Sequence, residues 1–501
     1  MTSIVATGNT SNIKNSTTHG LPYIVNQDIH WIERLFWTSS FIFSLIIIYS
    51  LLSSQFSRFI NSPTVMSVEM DYLEWNISYP ALTLCPIIKT NFTTFNNLKY
   101  HLAILAYSRG RLLFCDSIKN IDEMRTSFLK ELSNKTGMYL ESYVWAIATA
   151  SVLNLNTLAL TDPGNTNPIN PEDYAETAAM LFNQFDKRAL TTNFNYSLSI
   201  QSAMTEFGMC HVINSNVAVF DDPLKWRNNN VNYVKTNVEL SAFDADFYAD
   251  IINDDVVSHI YVHSPNEPMI STFPSYTVDS DGFMTYGFQI WSTKISNELR
   301  SASIQVRQCR FLDEPISTRY PVYSYNNCLL ECRIQLILKL CGCVPHFYKI
   351  TGNERTCKLS ELTCFYRNRK EIMALSVSNE TLMKFTSRAH LPRTPKDCSC
   401  LSNCETDIYR KDREEYTPEP SASRVRIIFT AFPKMRIVRD RIFSFSDMFL
   451  RSGGVVNTCI GSSVISIMEL ILDVFRFPTY YLTQITINFV QKLTYYVLHK
   501  F

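Results

Sequence analysis

The sequence has no excess of charge of either sign, because 46 lysines and arginines balance 46 aspartates and glutamates. Proteins that bind nucleic acid usually carry a basic excess, so we expect no nucleic-acid partner. Glycine is scarce, at 13 residues in 501, and there is no internal repeat or low-complexity tract. The chain also lacks the Gly-x-Ser-x-Gly, His-Glu-x-x-His and phosphate-loop motifs of common enzymes, so we predict no enzyme activity and no catalytic residues.

Cysteine, in contrast, is concentrated in one part of the chain. Of 14 cysteines, 13 lie from Cys85 to Cys404, and ten of these lie from Cys309 to Cys404. A cytosolic protein rarely clusters cysteine in this way unless it binds metal or performs redox chemistry. Paired Cys-x-Cys elements could hold zinc in a reducing compartment, whereas they form disulfides in an oxidising one. We expect disulfides and no metal site, and spacing alone leaves their connectivity open.

Potential N-glycosylation sites favour an extracellular setting for this cysteine-rich part. Five Asn-x-Ser/Thr sequons lie in the central chain, at Asn76, Asn91, Asn134, Asn195 and Asn379. Asn9 and Asn15 also match the pattern, but they lie in a segment that we expect to be cytosolic. The pattern is short, so its weight comes from its coincidence with the cysteines.

One long segment, from Leu35 to Ser57, is free of charge, and Arg34 and Arg58 close it at both ends. As a helix it would be about 34 Å long, enough to cross the roughly 30 Å hydrocarbon core of a bilayer. It begins too late and runs too long for a cleaved signal peptide. A buried core helix is the alternative, and we predict a first transmembrane helix over residues 35–57.

A second uncharged segment runs from Ser452 to Met468, before charged residues and Pro478, which ends a helix. Its polar and small residues at mid-depth are Asn457, Gly461, Ser462 and Ser463. Such residues inside a membrane face a bundle interior or a water path, or they allow close helix packing. The residues alone leave these two interpretations open. We predict a second transmembrane helix over residues 446–475.

Two crossings place both termini on one side of the membrane and the cysteine-rich part on the other. The tail beyond Asp473 carries Arg476, Lys492 and Lys500 and no acid, which favours the cytosol. We therefore predict a multi-pass protein of the plasma membrane, in contact with lipid, with both termini cytoplasmic. The predicted parts are a cytoplasmic tail (1–34), the first span (35–57), an extracellular domain (58–445), the second span (446–475) and a second cytoplasmic tail (476–501).

The extracellular part has the pattern of a mixed α/β domain. Residues 199–205 and 424–432 have strand-like composition, and 124–132 and 329–340 have the apolar spacing of amphipathic helices. Because 424–432 precedes the second span, we expect its strand to lead directly into the membrane region. The predicted fold class is a two-span α-helical membrane protein with a large disulfide-rich α/β extracellular domain.

Four motifs occur in order along nearly the whole chain: His19-Gly20, YPALTLCP at Tyr79–Pro86, the cysteine block Cys328–Cys404, and Gly461-Ser462-Ser463 with Glu469 beyond it. Together they resemble the motifs of the epithelial sodium channel/degenerin superfamily, and especially of its insect pickpocket branch. They resemble, in turn, the cytoplasmic gating motif, the motif after the first span, the cysteine-rich region, and the Gly-x-Ser selectivity filter with the acidic residue below it. Each motif alone is weak evidence, whereas the ordered set is highly specific.

This resemblance implies a trimer, formed by one chain or with related subunits, and a hand-shaped extracellular domain. It implies a voltage-independent, amiloride-sensitive cation channel permeable to Na⁺, without a cofactor. It also implies six disulfides: Cys85–Cys210, Cys309–Cys404, Cys328–Cys400, Cys332–Cys398, Cys341–Cys364 and Cys343–Cys357. Cys115 and Cys459 remain outside this set. The branch also implies a sensory role, without identifying the stimulus.

The resemblance assigns roles to individual residues as well. Three copies of Gly461-Ser462-Ser463 would meet on the axis and offer carbonyl and hydroxyl oxygens to a cation. Glu469 and Asp473 lie four residues apart on one helical face and would form the inner mouth, with a solvated helix end as the alternative. The residues assigned to gating are His19 and Gly20 in the tail, and Leu450 or Arg451 at the outer end of the second span. The family usually carries a small residue at this outer position, so we expect bulky side chains to crowd a homotrimer there.

Three departures from the family pattern bear on selectivity, amiloride affinity and proton gating. Asn457 stands where the family usually has glycine, Thr458-Cys459 replaces a bulky Leu-Phe pair, and a small extra cysteine pair is missing. Two alternative functions stay open at this point. An ATP-gated two-span channel would need a lysine-rich phosphate site, and a non-conducting receptor or adhesion subunit would not need a Gly-Ser-Ser tract.

Overall fold

The structure, a computed structural model, describes most of the chain between Thr18 and Leu472. It does not describe residues 1–17, 27, 62–63, 91–138, 160–168, 183–187, 194, 228–230, 245, 254–256, 279–281, 385–390, 419–422, 470, 473–484, 488–489 and 491–501. The predicted helix 124–132, the sequons at Asn91 and Asn134, Cys115 and Asp473 therefore lie outside the described residues.

The chain divides into two compact units, one of Met1–Val65 with Asp440–Phe501 and one of Met66–Arg439. The described helices of the first unit are α1 (Leu21–Val25), α2 (Trp31–Asn61) and α12 (Phe445–Ile460). Those of the second are α3 (Tyr139–Ala148), α4 (Leu155–Ala159), α5 (Tyr174–Leu181), α6 (Asn297–Arg300), α7 (Ile304–Arg307), α8 (Tyr325–Cys341), α9 (Leu362–Arg367), α10 (Arg369–Ala374) and α11 (Asn379–Lys384).

The described strands lie in groups between these helices along the chain. They are β1 (Thr64–Glu69), β2 (Asn76–Ser78), β3 (Ala81–Pro86), β4 (Arg188–Thr191), β5 (Ile200–Thr205), β6 (Gly208–Ile213), β7 (Glu239–Ser241), β8 (Tyr248–Asn253), β9 (Ser258–His263), β10 (Ser275–Val278), β11 (Gly282–Ile295), β12 (Cys309–Arg310), β13 (Ser402–Asn403), β14 (Thr406–Thr417), β15 (Ser423–Phe429) and β16 (Arg436–Arg441). The predicted strand at 199–205 and the predicted helix at 329–340 are confirmed by β5 and by the longer α8.

Helix α2 is long and apolar enough to cross a membrane, and among the described residues it is the one helix that meets this criterion. It extends four residues beyond each end of the predicted span 35–57, through flanking segments in which charged or polar residues are mixed with apolar ones. Its large apolar side chains are exposed, for example Phe43 at 64% and Tyr49 at 76%. A helix of a water-soluble protein would bury such a surface, so α2 has the exterior of a lipid-facing helix.

Two sheets form the framework of the second unit. The larger has seven strands in the order β1-β16-β11-β15-β8-β4, with β14 also pairing with β11, and the smaller has the order β10-β9-β3-β6-β5. Leu84 of the smaller sheet shares one buried core with Phe288 and Ile427 of the larger. The predicted strand 424–432 is thus β15, inside a sheet. The expectation that it leads directly into the membrane region is wrong, because β16 follows it and pairs in the same sheet.

Six disulfides join the pairs that the family resemblance implies. They are Cys85–Cys210, Cys309–Cys404, Cys328–Cys400, Cys332–Cys398, Cys341–Cys364 and Cys343–Cys357. Five of them lie between Cys309 and Cys404, and two of these attach α8 to the segment just before β13. Because each bond closes a loop of the unfolded chain, the set confers stability on a domain with many short elements.

A buried ion pair connects α8 to the turn between β5 and β6. The Arg333 guanidinium donates to the Glu206 carboxylate, and both side chains are only 2% exposed. Tyr348 Oη and the Ser271 backbone amide also donate to this carboxylate, at 2.6 and 2.7 Å. Burial alone would raise the pKa of Glu206, but the charge of Arg333 and these hydrogen bonds lower it below the ordinary value. Glu206 therefore stays ionised and holds α8 against the sheet.

Candidate functional site

The Gly461-Ser462-Ser463 tract interrupts a helix. Helix α12 ends at Ile460, residues 461–463 are not helical, and the backbone is helical again over 464–469. Gly461 has a φ of 61°, the left-handed conformation that glycine adopts readily, and its amide still donates to the Asn457 carbonyl at 2.8 Å. Non-helical backbone within a membrane is tolerated only where protein or water satisfies its polar groups. The backbone of the tract is therefore not helical at the position where the resemblance places a filter.

The N-terminal segment meets this tract. The His19 backbone amide donates to the Ile460 carbonyl at 3.0 Å, and the Ser462 hydroxyl lies 3.3 Å from the Thr18 hydroxyl. Thr18 and Ser462 are 4% and 5% exposed. Gly20, with a φ of 91°, turns the chain into α1. The motif assigned to gating and the motif assigned to selectivity are therefore in direct contact within one chain.

The contact is close at Gly461 itself. A β-carbon at this position would lie 2.7–3.0 Å from three atoms of the His19 imidazole, which is nearer than such atoms approach in proteins. Glycine is therefore required here for two reasons: the backbone has a positive φ, and the His19 ring leaves no space for a side chain. The sequence showed both motifs but gave no sign of this contact, since more than 400 residues separate them.

Ser463 has a hydrogen-bond partner, Ser466, that the sequence analysis did not identify. Its hydroxyl accepts from the Ser466 amide at 3.2 Å and lies 3.1 Å from the Ser466 hydroxyl. A serine that accepts from the amide three residues ahead is an N-cap, so Ser463 starts the helix over 464–469. The Ser-x-x-Ser spacing is a weak signal for such a cap. Glu469 is exposed on this described helical stretch, and its predicted partner Asp473 lies outside the described residues.

A capping box fixes the N-terminus of α12. Ser444 and Asp447 form a capping box, in which each side chain accepts from the backbone amide of the other residue. Leu450 is 68% exposed, one turn farther on. The Arg451 guanidinium lies 4.2 Å from the Phe443 ring centroid, a cation–π contact between residues that precede and follow the capping box. The two residues assigned to gating therefore differ, because Arg451 has a partner within the chain and Leu450 is exposed.

The two long helices of the first unit expose different surfaces. Helix α12 packs on α2, and its half-buried residues lie together on one face: Met448, Ser452, Val455, Val456, Cys459 and Ile460. In the C-terminal half of α12 the opposite face is exposed and consists of small and polar residues: Gly453, Gly454, Asn457 and Thr458. Helix α2 instead exposes large apolar side chains such as Phe36 and Phe43. The exposed face of α12 is therefore suited to water or to another protein surface, and that of α2 to lipid.

Three of the five central sequons fall on described residues. Asn76, Asn195 and Asn379 are all exposed, so each side chain is accessible to a glycan. Among the described residues there is no group of three or more His, Cys, Asp or Glu side chains arranged to hold a metal ion.

Comparison with known proteins assigns the sequence to a family. Residues 13–472 match the family "Amiloride-sensitive sodium channel". The sequence is 24% identical to Pickpocket protein 28 of Drosophila melanogaster over 487 residues, which cover 91% of this chain and 76% of the relative. It is 21% identical to the Sodium channel protein Nach of the same organism over 91% of this chain and 84% of the relative. A shorter match, 22% over 218 residues, links 42% of the chain to 37% of Acid-sensing ion channel 4-B of Danio rerio.

The predicted resemblance is thus confirmed, and with it the expectation that the protein is not an enzyme. The one described helix suited to crossing a membrane and the disulfide-rich, β-rich domain agree with a membrane protein of this kind. The chain belongs to the amiloride-sensitive sodium channel family, in its insect pickpocket-like branch.

Proposed function

We propose that this chain is one subunit of a trimeric, voltage-independent, amiloride-sensitive channel for Na⁺ in the plasma membrane. Helix α2 and the segment from α12 through residue 469 cross the bilayer, both termini are cytoplasmic, and the hand-shaped domain between them is extracellular. The observation that carries the proposal is the polar, small-residue face of α12, which a single chain leaves exposed in its inner half. Three such faces around an axis enclose a water-filled path, and α2 faces the lipid.

The broken helix supports the position of the filter in this path. Backbone that leaves helical geometry at Gly461 frees carbonyl oxygens, which replace part of the hydration shell of a cation. Ser462 is buried against Thr18, so its hydroxyl is held in place, whereas Ser463 caps the next helix. In this proposal the ion contacts come chiefly from backbone oxygens of the tract. Exposed Glu469, with Asp473 beyond it, then concentrates cations at the inner mouth.

The contact between His19 and the tract supports a gating role for the N-terminal segment. The His19 amide donates to the Ile460 carbonyl, and the His19 ring lies against Gly461. A movement of this segment would therefore release the last turn of α12 and alter the filter. We infer that His19 and Gly20 control whether the filter is open, and that selectivity itself stays with residues 461–463.

The outer end of α12 favours assembly with related subunits. Leu450 is exposed in the single chain, so three copies would crowd the axis of a homotrimer. The charge of Arg451 is held against Phe443, yet three like charges near one axis add repulsion. A heterotrimer whose other subunits have smaller, uncharged residues at this position relieves both the crowding and the charge repulsion. A sensory cell that expresses related subunits would supply such partners.

Whole-cell recording tests the function directly. The chain is expressed alone and with related channel subunits, and external Na⁺ is replaced by the impermeant cation N-methyl-D-glucamine. We expect an inward current that lacks voltage gating, that amiloride reduces and that disappears on replacement, because Na⁺ carries it. A chain that reaches the cell surface but adds no sodium current in any combination would instead be a receptor or adhesion subunit.

A further inference from the structure

A groove of about 610 Å³ lies along α8. One wall is a face of the helix, whose lining residues recur every three or four positions, and the other is the segment 391–398 that precedes β13. Both cysteines of the Cys332–Cys398 disulfide line the groove, and both are half-buried. A reagent that enters the groove therefore reaches this disulfide.

The other five disulfides are placed differently. Three of them have both cysteines buried: Cys85–Cys210, Cys309–Cys404 and Cys343–Cys357. Cys328 lines the groove but is buried, and its partner Cys400 does not line it. Cys341 and Cys364 are half-buried, but neither of them lines the groove. Access through the groove therefore distinguishes Cys332–Cys398 from the rest of the set.

The charges of the groove favour a thiolate nucleophile. Lys339 and Arg393 bring two cations to its walls. The carboxylates among its described lining residues are already paired: Glu331 accepts from the Arg319 guanidinium at 2.7 Å, and Asp397 accepts from two backbone amides of its own turn at 2.8 and 3.1 Å. Cations near a thiol raise its thiolate fraction, so an attacking thiol is activated here.

The groove presents the two sulfurs differently. Cys332 lies within α8, whereas the residues on either side of Cys398, Asp397 and Ser399, are both exposed. Ser399 has a φ of 54°, the left-handed conformation that costs a residue with a side chain free energy. Release of Cys398 would relieve this turn. An external thiolate therefore approaches Cys398 more freely, and Cys332 is the leaving group.

We propose that the Cys332–Cys398 disulfide is a redox exchange site, which an external dithiol reduces while the other five disulfides remain intact. A thiolate of the dithiol attacks Cys398 Sγ, a mixed disulfide forms, and Cys332 leaves as a thiolate that takes up a proton. The second thiol of the reductant then displaces Cys398, which also becomes a thiol. Two electrons and two protons pass to the protein, and the reductant leaves as a disulfide.

The reduced domain keeps its fold, so the exchange is reversible. Cys328–Cys400 still joins α8 to the segment before β13, and the ion pair of Arg333 with Glu206 still holds the helix against the sheet. The inference rests on the proposed function only for the extracellular position of this domain, because disulfides persist in an oxidising compartment.

The test exposes intact cells that express the full chain to graded amounts of reductant in two arms. One arm uses dithiothreitol, and the other uses a thioredoxin whose second active-site cysteine is replaced by serine, so that its reaction stops at the mixed disulfide. New thiols are alkylated, and mass spectrometry gives the labelled fraction of each cysteine. At the lowest effective dose of dithiothreitol, Cys332 and Cys398 should be labelled about tenfold more than Cys341 and Cys364. Thioredoxin should be trapped on Cys398, and the amount of surface protein should stay unchanged.

The order of labelling decides the proposal without reference to channel activity. Equal labelling of Cys341 and Cys364, or earlier labelling of Cys328 and Cys400, would overturn the site. Selective labelling by dithiothreitol without trapped thioredoxin would support the site and identify a small dithiol as its reductant. Loss of surface protein at the same dose would overturn the reversible exchange. Labelling that occurs only in permeabilised cells would contradict the proposed topology, while its order would still decide the site.

Discussion

Replacing Gly461 by alanine is expected to abolish the sodium current of channels that contain this subunit, while the protein still reaches the cell surface. The new β-carbon would lie 2.7 Å from the His19 ring, and the φ of 61° is a conformation that alanine rarely adopts. Either α12 continues as a helix through the tract, or the N-terminal segment leaves it. In both cases the filter oxygens lose their positions.

Gly453→Ala is the matched control for this experiment. Gly453 lies inside α12, and a β-carbon there meets nothing within 4 Å. Alanine is also the better helix former, so this variant keeps the backbone of α12 and should retain a sodium-selective current. Whole-cell current and surface biotinylation are measured for both variants. Wild-type current and selectivity from Gly461→Ala would show that the tract does not line the ion path.

Replacing Arg333 by methionine is expected to prevent most of the protein from reaching the surface. The change leaves the Glu206 carboxylate buried without its cation, and breaking one side of a buried ion pair costs about 3–5 kcal/mol. A loss of this size is a large fraction of the stability of an ordinary domain. Surface biotinylation and resistance to limited proteolysis report the loss.

Two further variants show whether the buried charge is the cause. Arg333→Met combined with Glu206→Gln removes both charges and should restore part of the surface protein, because no uncompensated ion remains. Arg355→Met removes an ion pair with Glu361 in which the arginine is 52% exposed, and should cost less than about 1 kcal/mol. If Arg333→Met and Arg355→Met are delivered equally well, the pair does not hold α8 to the sheet.

Local patterns were sufficient to predict several elements. The uncharged run at 35–57 predicted a membrane helix, because length and hydropathy decide that outcome within one segment, and α2 contains it. The apolar spacing of 329–340 predicted α8, because the period of an amphipathic helix can also be recognised within one segment. The disulfide pairs came from the family resemblance, since the spacing of ten cysteines leaves many connectivities open.

Contacts between distant segments could not be predicted in this way. Thr18 meets Ser462 across 444 residues, and Arg333 meets Glu206 across 127, and no local periodicity encodes either pair. Strand β16 was missed because RIVRDR contains four charged residues and only two apolar ones, and all six residues are only half-buried. Its omission caused the wrong expectation that β15 leads directly into the membrane.

The most direct test of the central claim is to place a thiol in the tract and ask whether it obstructs the current. Ser463→Cys is made in a Cys459→Ala background, which removes the native free cysteine nearby. Each copy of this chain places one sulfur at the ring of the ion path, where it binds Cd²⁺, so external Cd²⁺ should block the sodium current of this variant and spare the background. Unchanged permeation and no Cd²⁺ block, at normal surface expression, would place the filter outside residues 461–463.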